Sequence, residues 1–314
     1  MTSGPAFAAC AALAARHYEN FPVRAPFLPR RARADLAAVY AFCRTTDDLG
    51  DEHPGDRSAA LDAWQAEVTS ALAGGPPAGA GAGVLAALEE TAERRGLPLD
   101  LFLRLIHANR RDQGVSLYSD DAALLDYCRH SATPVGRMVL GVIGVGERLD
   151  AAAFGPLVTL ADATCIGLQL ANFWQDLARD WAQGRCYLPL EACARHGVDP
   201  AAELSRSQAS PALRALVRER VDDARAWLAR GWPLAGRLPL HWRPLVRGFT
   251  RGGWAICDAI AAQQYDTLGS RPVISRRVRR RILVHEILRA PLRSPSLTGA
   301  VEPATRAGIR IPAT

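Results

Sequence analysis

The segment from Gln169 to Pro189, QLANFWQDLARDWAQGRCYLP, decides how the chain is read. Gln169, Asn172, Asp176 and Asp180 recur at intervals of three and four residues, so in an α-helix they share one face. Two carboxylates one turn apart repel on a solvated helix. A divalent cation held there against an anionic ligand reverses that sign, because the ion becomes the largest local charge. An amide and two carboxylates form an oxygen-only set that suits Mg²⁺, which keeps some waters and takes further ligands from phosphates. Arg185 and Tyr187 follow at once, offering a guanidinium fork and a phenol to grip a phosphate. On its own, the same spacing also fits a solvated acidic face.

The pattern occurs twice. Residues 39–52, VYAFCRTTDDLGDE, set Asp47 and Asp51 four apart, with Asp48 and Glu52 as a second pair one step round. Arg44 lies one turn before Asp47, and Tyr40 one turn before Arg44. Two Asp-pair helices, each with an adjoining Arg and Tyr, are hard to assign to solvation. Facing each other across a cavity, their four carboxylates would hold roughly two or three Mg²⁺ ions against a diphosphate. That is the apparatus for ionising an allylic diphosphate.

These stretches resemble the squalene/phytoene synthase family, the head-to-head isoprenoid synthases. The family's Asp-x-x-x-Asp motif falls on Asp47 and Asp51. Its Asn-x-x-x-Asp-x-x-x-Asp motif falls on Asn172, Asp176 and Asp180, followed by a matching GRCYLP. HYENFPV at 17–23, LLDYCRHSATPVGR at 124–137 and AAQQYDTLGSRP at 261–272 are similar to the bacterial hopanoid branch, hydroxysqualene synthase in particular. The likeness runs from about residue 13 to about residue 290. It implies that His17, with Tyr18 and Asn20, lines the diphosphate end of the site. It also implies that Tyr127 faces the reacting carbocation, where its ring would stabilise positive charge. Two positions depart from the family pattern: Thr133 stands where Asn is expected, and Ile256 lies near a place where other branches have Tyr.

Composition narrows the alternatives. The chain has 314 residues and an apolar share of 49%, enough to bury a sizeable core, and no composition break divides it. Net charge is +6, and all 38 basic residues are Arg. Without Lys there is neither a Schiff base nor a P-loop. Seven cysteines show no CxxC spacing, which disfavours a disulfide scaffold or zinc site and suits a reducing cytosol. No Glu-x-x-His or HExxH occurs, so neither a di-iron bundle nor a zincin fits. No signal peptide is expected. The apolar run Met138 to Gly146 falls short of the about 20 residues that span a bilayer.

Along the chain, apolar periodicity predicts helices near 5–19, 33–50, 57–73, 84–95 and 99–112. The GGPPAGAGAG run after the third is a surface loop. HANRRD closes the fifth helix, with Arg110, Arg111 and Asp112 expected to face solvent slightly more readily than substrate. A single helix kinked at Pro134 is expected over 124–146. Its small residues Ser131, Ala132, Gly136 and Gly141 would leave room for prenyl chains, although tight packing gives the same pattern. Helices near 157–183, 211–231 and 241–264 follow. RRVRRR at 276–281 precedes apolar ILVHEIL; a solvated face is the default, with contact to anionic membrane or nucleic acid as alternatives.

The expectation is therefore an all-α, single-domain isoprenoid synthase: a helical bundle around a central apolar cavity, over 1–290, with a flexible tail at 291–314. Asp47, Asp51, Asn172, Asp176 and Asp180 would bind Mg²⁺; Tyr40, Arg44, Gln169, Arg185, Tyr187 and His17 would bind substrate. The branch implies conversion of presqualene diphosphate and water to hydroxysqualene without NADPH, with Tyr127, Thr133 or Gln169 positioning the water. Rivals are coupling of two farnesyl diphosphates to presqualene diphosphate, squalene or dehydrosqualene, phytoene synthesis from geranylgeranyl diphosphate, and an inactive partner in a synthase complex. A nucleic-acid partner is not expected. A presqualene diphosphate synthase partner and a cytoplasmic location, at most peripheral at the inner face of the membrane, complete the reading.

Overall fold

The computed structural model describes residues 4–16, 27–114, 117–145 and 151–288. His17, Tyr18, Asn20 and the expected 291–314 tail lie outside the described residues. Among the described residues no strand occurs; Tyr118 and Pro189 form an isolated parallel bridge. The chain is all-α and a single domain.

The amino-terminal half comprises α1 (Gly4–Arg16), α2 (Arg30–Asp51), α3 (Arg57–Leu72), α4 (Ala82–Arg95) and α5 (Leu99–Arg111). Local chemistry sets several boundaries. Asp56 caps α3 by accepting the Ala59 N–H at 3.0 Å. Gly96 ends α4 in the left-handed region at φ 59°, where a residue without Cβ is unstrained. Asp35 of α2 is fully buried and paired with Arg94 and Arg95 of α4, which ties the acidic helix to its neighbour.

The single kinked helix expected over 124–146 is two helices, α6 (Asp121–Ser131) and α7 (Thr133–Ile143). Pro134 sits in the first turn of α7, where its missing N–H has no intrahelical partner to lose. The proline starts a helix here instead of bending one.

The helix expected over 157–183 also divides, into α8 (Ala151–Gln175) and α9 (Leu177–Ala182). Asp176 between them leaves helical geometry at φ −108°, ψ 16°. Backbone bonds from Asp176 N to Asn172 O and from Asp180 N to Asp176 O, 3.0 and 2.8 Å, continue the ladder through the break. The shared polar face survives.

Two short helices absent from the sequence reading, α10 (Leu190–Arg195) and α11 (Pro200–Leu204), precede α12 (Pro211–Gly231), α13 (Arg243–Ala262) and α14 (Arg276–Leu288). Two 3₁₀ turns, Trp232–Arg237 and Leu240–Trp242, link α12 to α13.

α8 occupies the centre, packed on α6, α7, α12 and α13. Gly231 lets α12 close on it: a Cβ there would lie 2.7 Å from the Thr164 backbone N and 2.9 Å from Leu160 O. Phe154–Gln175 is long and apolar enough to cross a membrane by length and composition, and the Met138–Gly146 run had hidden this longer candidate. Buried apolar residues form two clusters, one around α1–α5 and α7, the other around α6 and α8–α13. The acidic motifs meet between them.

Candidate active site

α2 and the α8–α9 junction present their carboxylates to one cavity of about 330 Å³. Asp47, Asp51, Asn172, Asp176, Asp180, Arg185, Tyr187, Tyr127 and Gln169 all line it. An adjoining apolar cavity of about 190 Å³ runs on between α7, α8 and α13. Ser131, Val135 and Gln169 line both, so the two spaces share a wall. Ala132 and Gly136 line the apolar space, as their size suggested. Gly141 does not; its Cα packs on Leu97.

Two of the four motif aspartates are engaged by arginines. Arg185 donates to Asp51 at 2.5 Å, crossing from one acidic arm to the other. Arg271 forms two bonds with Asp176, the longer at 2.9 Å, and a third to Gln175 Oε1 at 3.3 Å.

The other two, Asp47 and Asp180, form no ion pair with an arginine among the described residues. Asp47 accepts the Asn109 amide at 3.3 Å. Its carboxylate is open to water in the cavity but enclosed by the bundle. Enclosure and the Asp51 charge raise its pKa, against Asn109 and Arg44. Burial pushes Asp180 up to about 7, with Asp176 repulsion adding to it. Burial likewise lifts Asp112 to about 6, although Tyr127, Arg185 and Tyr187 oppose the rise. Carboxylates thus outnumber the cations that reach them, a charge excess that a divalent ion would neutralise. The oxygen-only donor set fits Mg²⁺. Among the described residues, no three Asp, Glu, His or Cys side chains stand ready-grouped around one ion position, and the arginines now occupy part of that role.

A wall of aromatic rings closes the α5–α6 side. Tyr187 stacks on Phe173 with centroids 3.9 Å apart and lies 5.5 Å from Tyr127. Asp112 accepts Tyr127 Oη–H at 2.5 Å and Tyr187 Oη–H at 3.3 Å. Arg111 lies over the Tyr127 ring at 5.6 Å. Leu190 N donates to Tyr118 O at 2.9 Å, which fixes the loop carrying Arg185 and Tyr187 against the start of α6.

Other expected residues fall elsewhere. Arg44 pairs with Asp48 and Glu52, and neither Arg44 nor Tyr40 lines either of these two cavities. The acidic pair one step round turns that guanidinium aside. Thr133 is buried and donates to Arg129 O at 2.9 Å, so its hydroxyl serves the α6–α7 junction and not the cavity. Arg110 pairs with Asp62 and Arg111 with Asp126. Asp112, expected to lean toward solvent, lies in the cavity instead, because α5 ends beside the site.

Asn109, Phe173 and Arg271 were missed. Asn109 and Asp112 stand three apart in HANRRD, the spacing of one helix face, and that was the available signal. Gly50 admits Asn109 beside Asp47; a Cβ there would lie 2.6 Å from Asn109 Oδ1. Arg271 carried no local signal, since only the tertiary fold brings it to Asp176.

A bundle with paired acidic motifs at the mouth of an apolar cavity defines a class, the all-α isoprenoid synthases. The squalene/phytoene synthase family model matches residues 14–278, and the chain belongs to that family, which binds prenyl diphosphates. Phytoene synthase of Thermus thermophilus is 32% identical, covering 81% of this chain and 83% of its own. Presqualene diphosphate synthase of Zymomonas mobilis is 30% identical over 79% and 78% of the two chains. Hydroxysqualene synthase of Sinorhizobium fredii is 33% identical over 71% and 73%. The crystal structure of squalene synthase HpnC from Alicyclobacillus acidocaldarius superposes with a TM-score of 0.73 at 42% identity, covering 83% of this chain and 94% of that one.

Proposed function

We propose that this chain converts presqualene diphosphate and water to hydroxysqualene and diphosphate, with Mg²⁺ and without NADPH. The observation that carries the reading is the shared wall between the acidic cavity and the apolar one. The diphosphate would lie against the aspartates, and the isoprenoid chains between α7, α8 and α13. The S. fredii relative supports this branch.

Asp47, Asp51, Asn172, Asp176 and Asp180 would hold Mg²⁺, which supplies positive charge to the departing diphosphate. Arg185 and Tyr187 add donors to its oxygens. The C–O bond to diphosphate breaks with both electrons leaving on oxygen. Preorganised donors stabilise that charge without reorganising, and this is usually the largest single catalytic contribution. The apolar wall keeps bulk water from the carbocation. One water then forms the new C–O bond and gives its proton to solvent or to the released diphosphate. Gln169, which borders both spaces, positions that water, and the Tyr127 ring stabilises the cation.

Coupling of two farnesyl diphosphates is the second reading, favoured by the Z. mobilis relative. Product analysis of purified protein with Mg²⁺, given farnesyl diphosphate and presqualene diphosphate separately and without NADPH, decides between them. Hydroxysqualene from presqualene diphosphate alone is expected, leaving farnesyl coupling to a partner presqualene diphosphate synthase. Consumption of farnesyl diphosphate would overturn the branch assignment, and a product that changes on adding NADPH would count against it too.

A further inference from the structure

The sequence of α14, RRVRRRILVHEIL, carries one acidic residue. That residue, Glu286, is turned inward at 2% exposure. It pairs with Arg251 and, at 3.8 Å, with Arg247, both on α13. Those two guanidinium groups lie over the Trp232 ring at 5.7 and 5.3 Å. A buried carboxylate held by two arginines fixes the rotation of α14 about its axis. The opposite face is therefore set as well.

That opposite face bears Arg277, Arg280, Arg281 and Val284, all exposed. At about 100° per residue, these four fall within roughly a third of the helix circumference, centred across from Glu286. Val278 on the flank of the helix is 41% exposed, and Val273, just before α14, is 64% exposed. Among the described residues five large apolar side chains are exposed, and three of them fall between residues 273 and 284. Basic charge interleaved with exposed valine, and no acid on the face, is the pattern of a helix lying in a lipid headgroup layer.

The position of α14 adds a second, independent observation. It packs on α13, and its two anchors, Arg247 and Arg251, flank residues at the apolar cavity. Val246 and Phe249 of α13 line that cavity together with Leu234. The helix that carries the basic face thus packs on a helix that walls the apolar cavity.

We propose that α14 docks this chain on a membrane bearing anionic lipid. Arg277, Arg280 and Arg281 contact the headgroups, and Val278 and Val284 enter the layer between them. Docked in this way, α13, which walls the apolar cavity, is held close to the lipid layer. The occupant is a lipid surface because the face combines charge with exposed valine. A nucleic acid would use the charge and leave the valines unexplained.

The test is co-sedimentation of the full chain with phosphatidylcholine vesicles, with and without phosphatidylglycerol. Binding should appear only with the anionic lipid and weaken as salt is raised. Replacing Arg277, Arg280 and Arg281 by Gln should lower the vesicle partition about a hundredfold, since each basic side chain near such a surface contributes about fivefold. Replacement of the same three by Lys should keep binding within a fewfold of the parent. The pair Val278→Ser and Val284→Ser should remove the fraction that survives at high salt. Circular dichroism and diphosphate release from dispersed substrate should match the parent in every variant, because these side chains touch neither the core nor the cavities. Equal binding to neutral and anionic vesicles would overturn the proposal. So would partition unchanged in the Gln variant, or duplex DNA bound in preference to vesicles.

Discussion

Two clusters of charge in this molecule use the same residue types to opposite ends. At the junction of α10 and α12, Glu219 meets Arg195, His196 and Arg220. Its burial is outweighed by those hydrogen bonds and charges, and its pKa falls to about 2. In the cavity between α2 and α8–α9, Asp180 and Asp112 rise to about 7 and about 6. The difference is one of position. At the junction, where Asp121 and Asp223 also share Arg220, Glu219 touches two arginines directly. In the cavity, acids face other acids, and Arg185 and Arg271 engage only Asp51 and Asp176. A matched cluster holds helices together, whereas an unmatched one is held together by helices and stays ready for a cation.

The first way to break this contrast is to remove a cavity acid. Asp47→Ala or Asp176→Ala should lower turnover by at least about a thousandfold while the unfolding free energy changes by about 1 kcal/mol or less. Asp176 now pairs with an Arg271 that is 42% exposed, and solvent takes over that guanidinium. Diphosphate release and chemical denaturation measure the two quantities. Turnover equal to the parent would sink the metal assignment.

Gln169→Leu separates the two cavities. Ionisation depends on the aspartates, so diphosphate release should stay within about tenfold of the parent. Capture of the cation depends on the shared wall, so the hydroxylated share of the product should fall. Product analysis by mass reads both. An unchanged product ratio would move the water away from Gln169.

Arg271→Gln sharpens the account of the stand-in cation. Asp176 would lose its internal counter-charge, and Mg²⁺ titrated calorimetrically without substrate should bind a few times more tightly, the scale of an exposed ion pair. Weaker Mg²⁺ binding would mean that Arg271 organises the acidic face instead of competing for it.

Much of this was legible in the sequence because the motifs are local. Asn172, Asp176 and Asp180 share a face by helical arithmetic alone, and the structure keeps that face even where the helix breaks at Asp176. Asp47 and Asp51 likewise reach one cavity. Local spacing has limits at the ends of elements. Pro134 fitted a kink as well as a first turn, and only its neighbours' packing decides between them. Arg44 has acids at both the fourth and the eighth residue after it, and the pair one step round captures it. Asp112 looked like the polar end of a helix, yet the end of α5 abuts the site, where two tyrosines claim it. Arg271 lies 95 residues from its aspartate, and no period reports such a contact.

The matched cluster gives the smallest effect, with a sign that pH reveals. Glu219 accepts from Arg195 and from His196 Nε2, both at 2.6 Å, and also from Arg220. Its folded pKa is depressed to about 2 from an ordinary value of 4.5. A depressed acid stabilises the fold above its unfolded pKa and loses that contribution as pH falls through the folded one. Glu219→Gln should therefore be less stable than the parent at neutral pH, and the gap should narrow steadily between about pH 4.5 and pH 2. The side chain is 36% exposed, so solvent screening holds the gap to about 1 kcal/mol or less. Denaturant midpoints of parent and variant at pH 7 and pH 3 measure it. A gap that widens on acidification would show that Glu219 is held against its surroundings as the cavity acids are, and the contrast between the two clusters would fail.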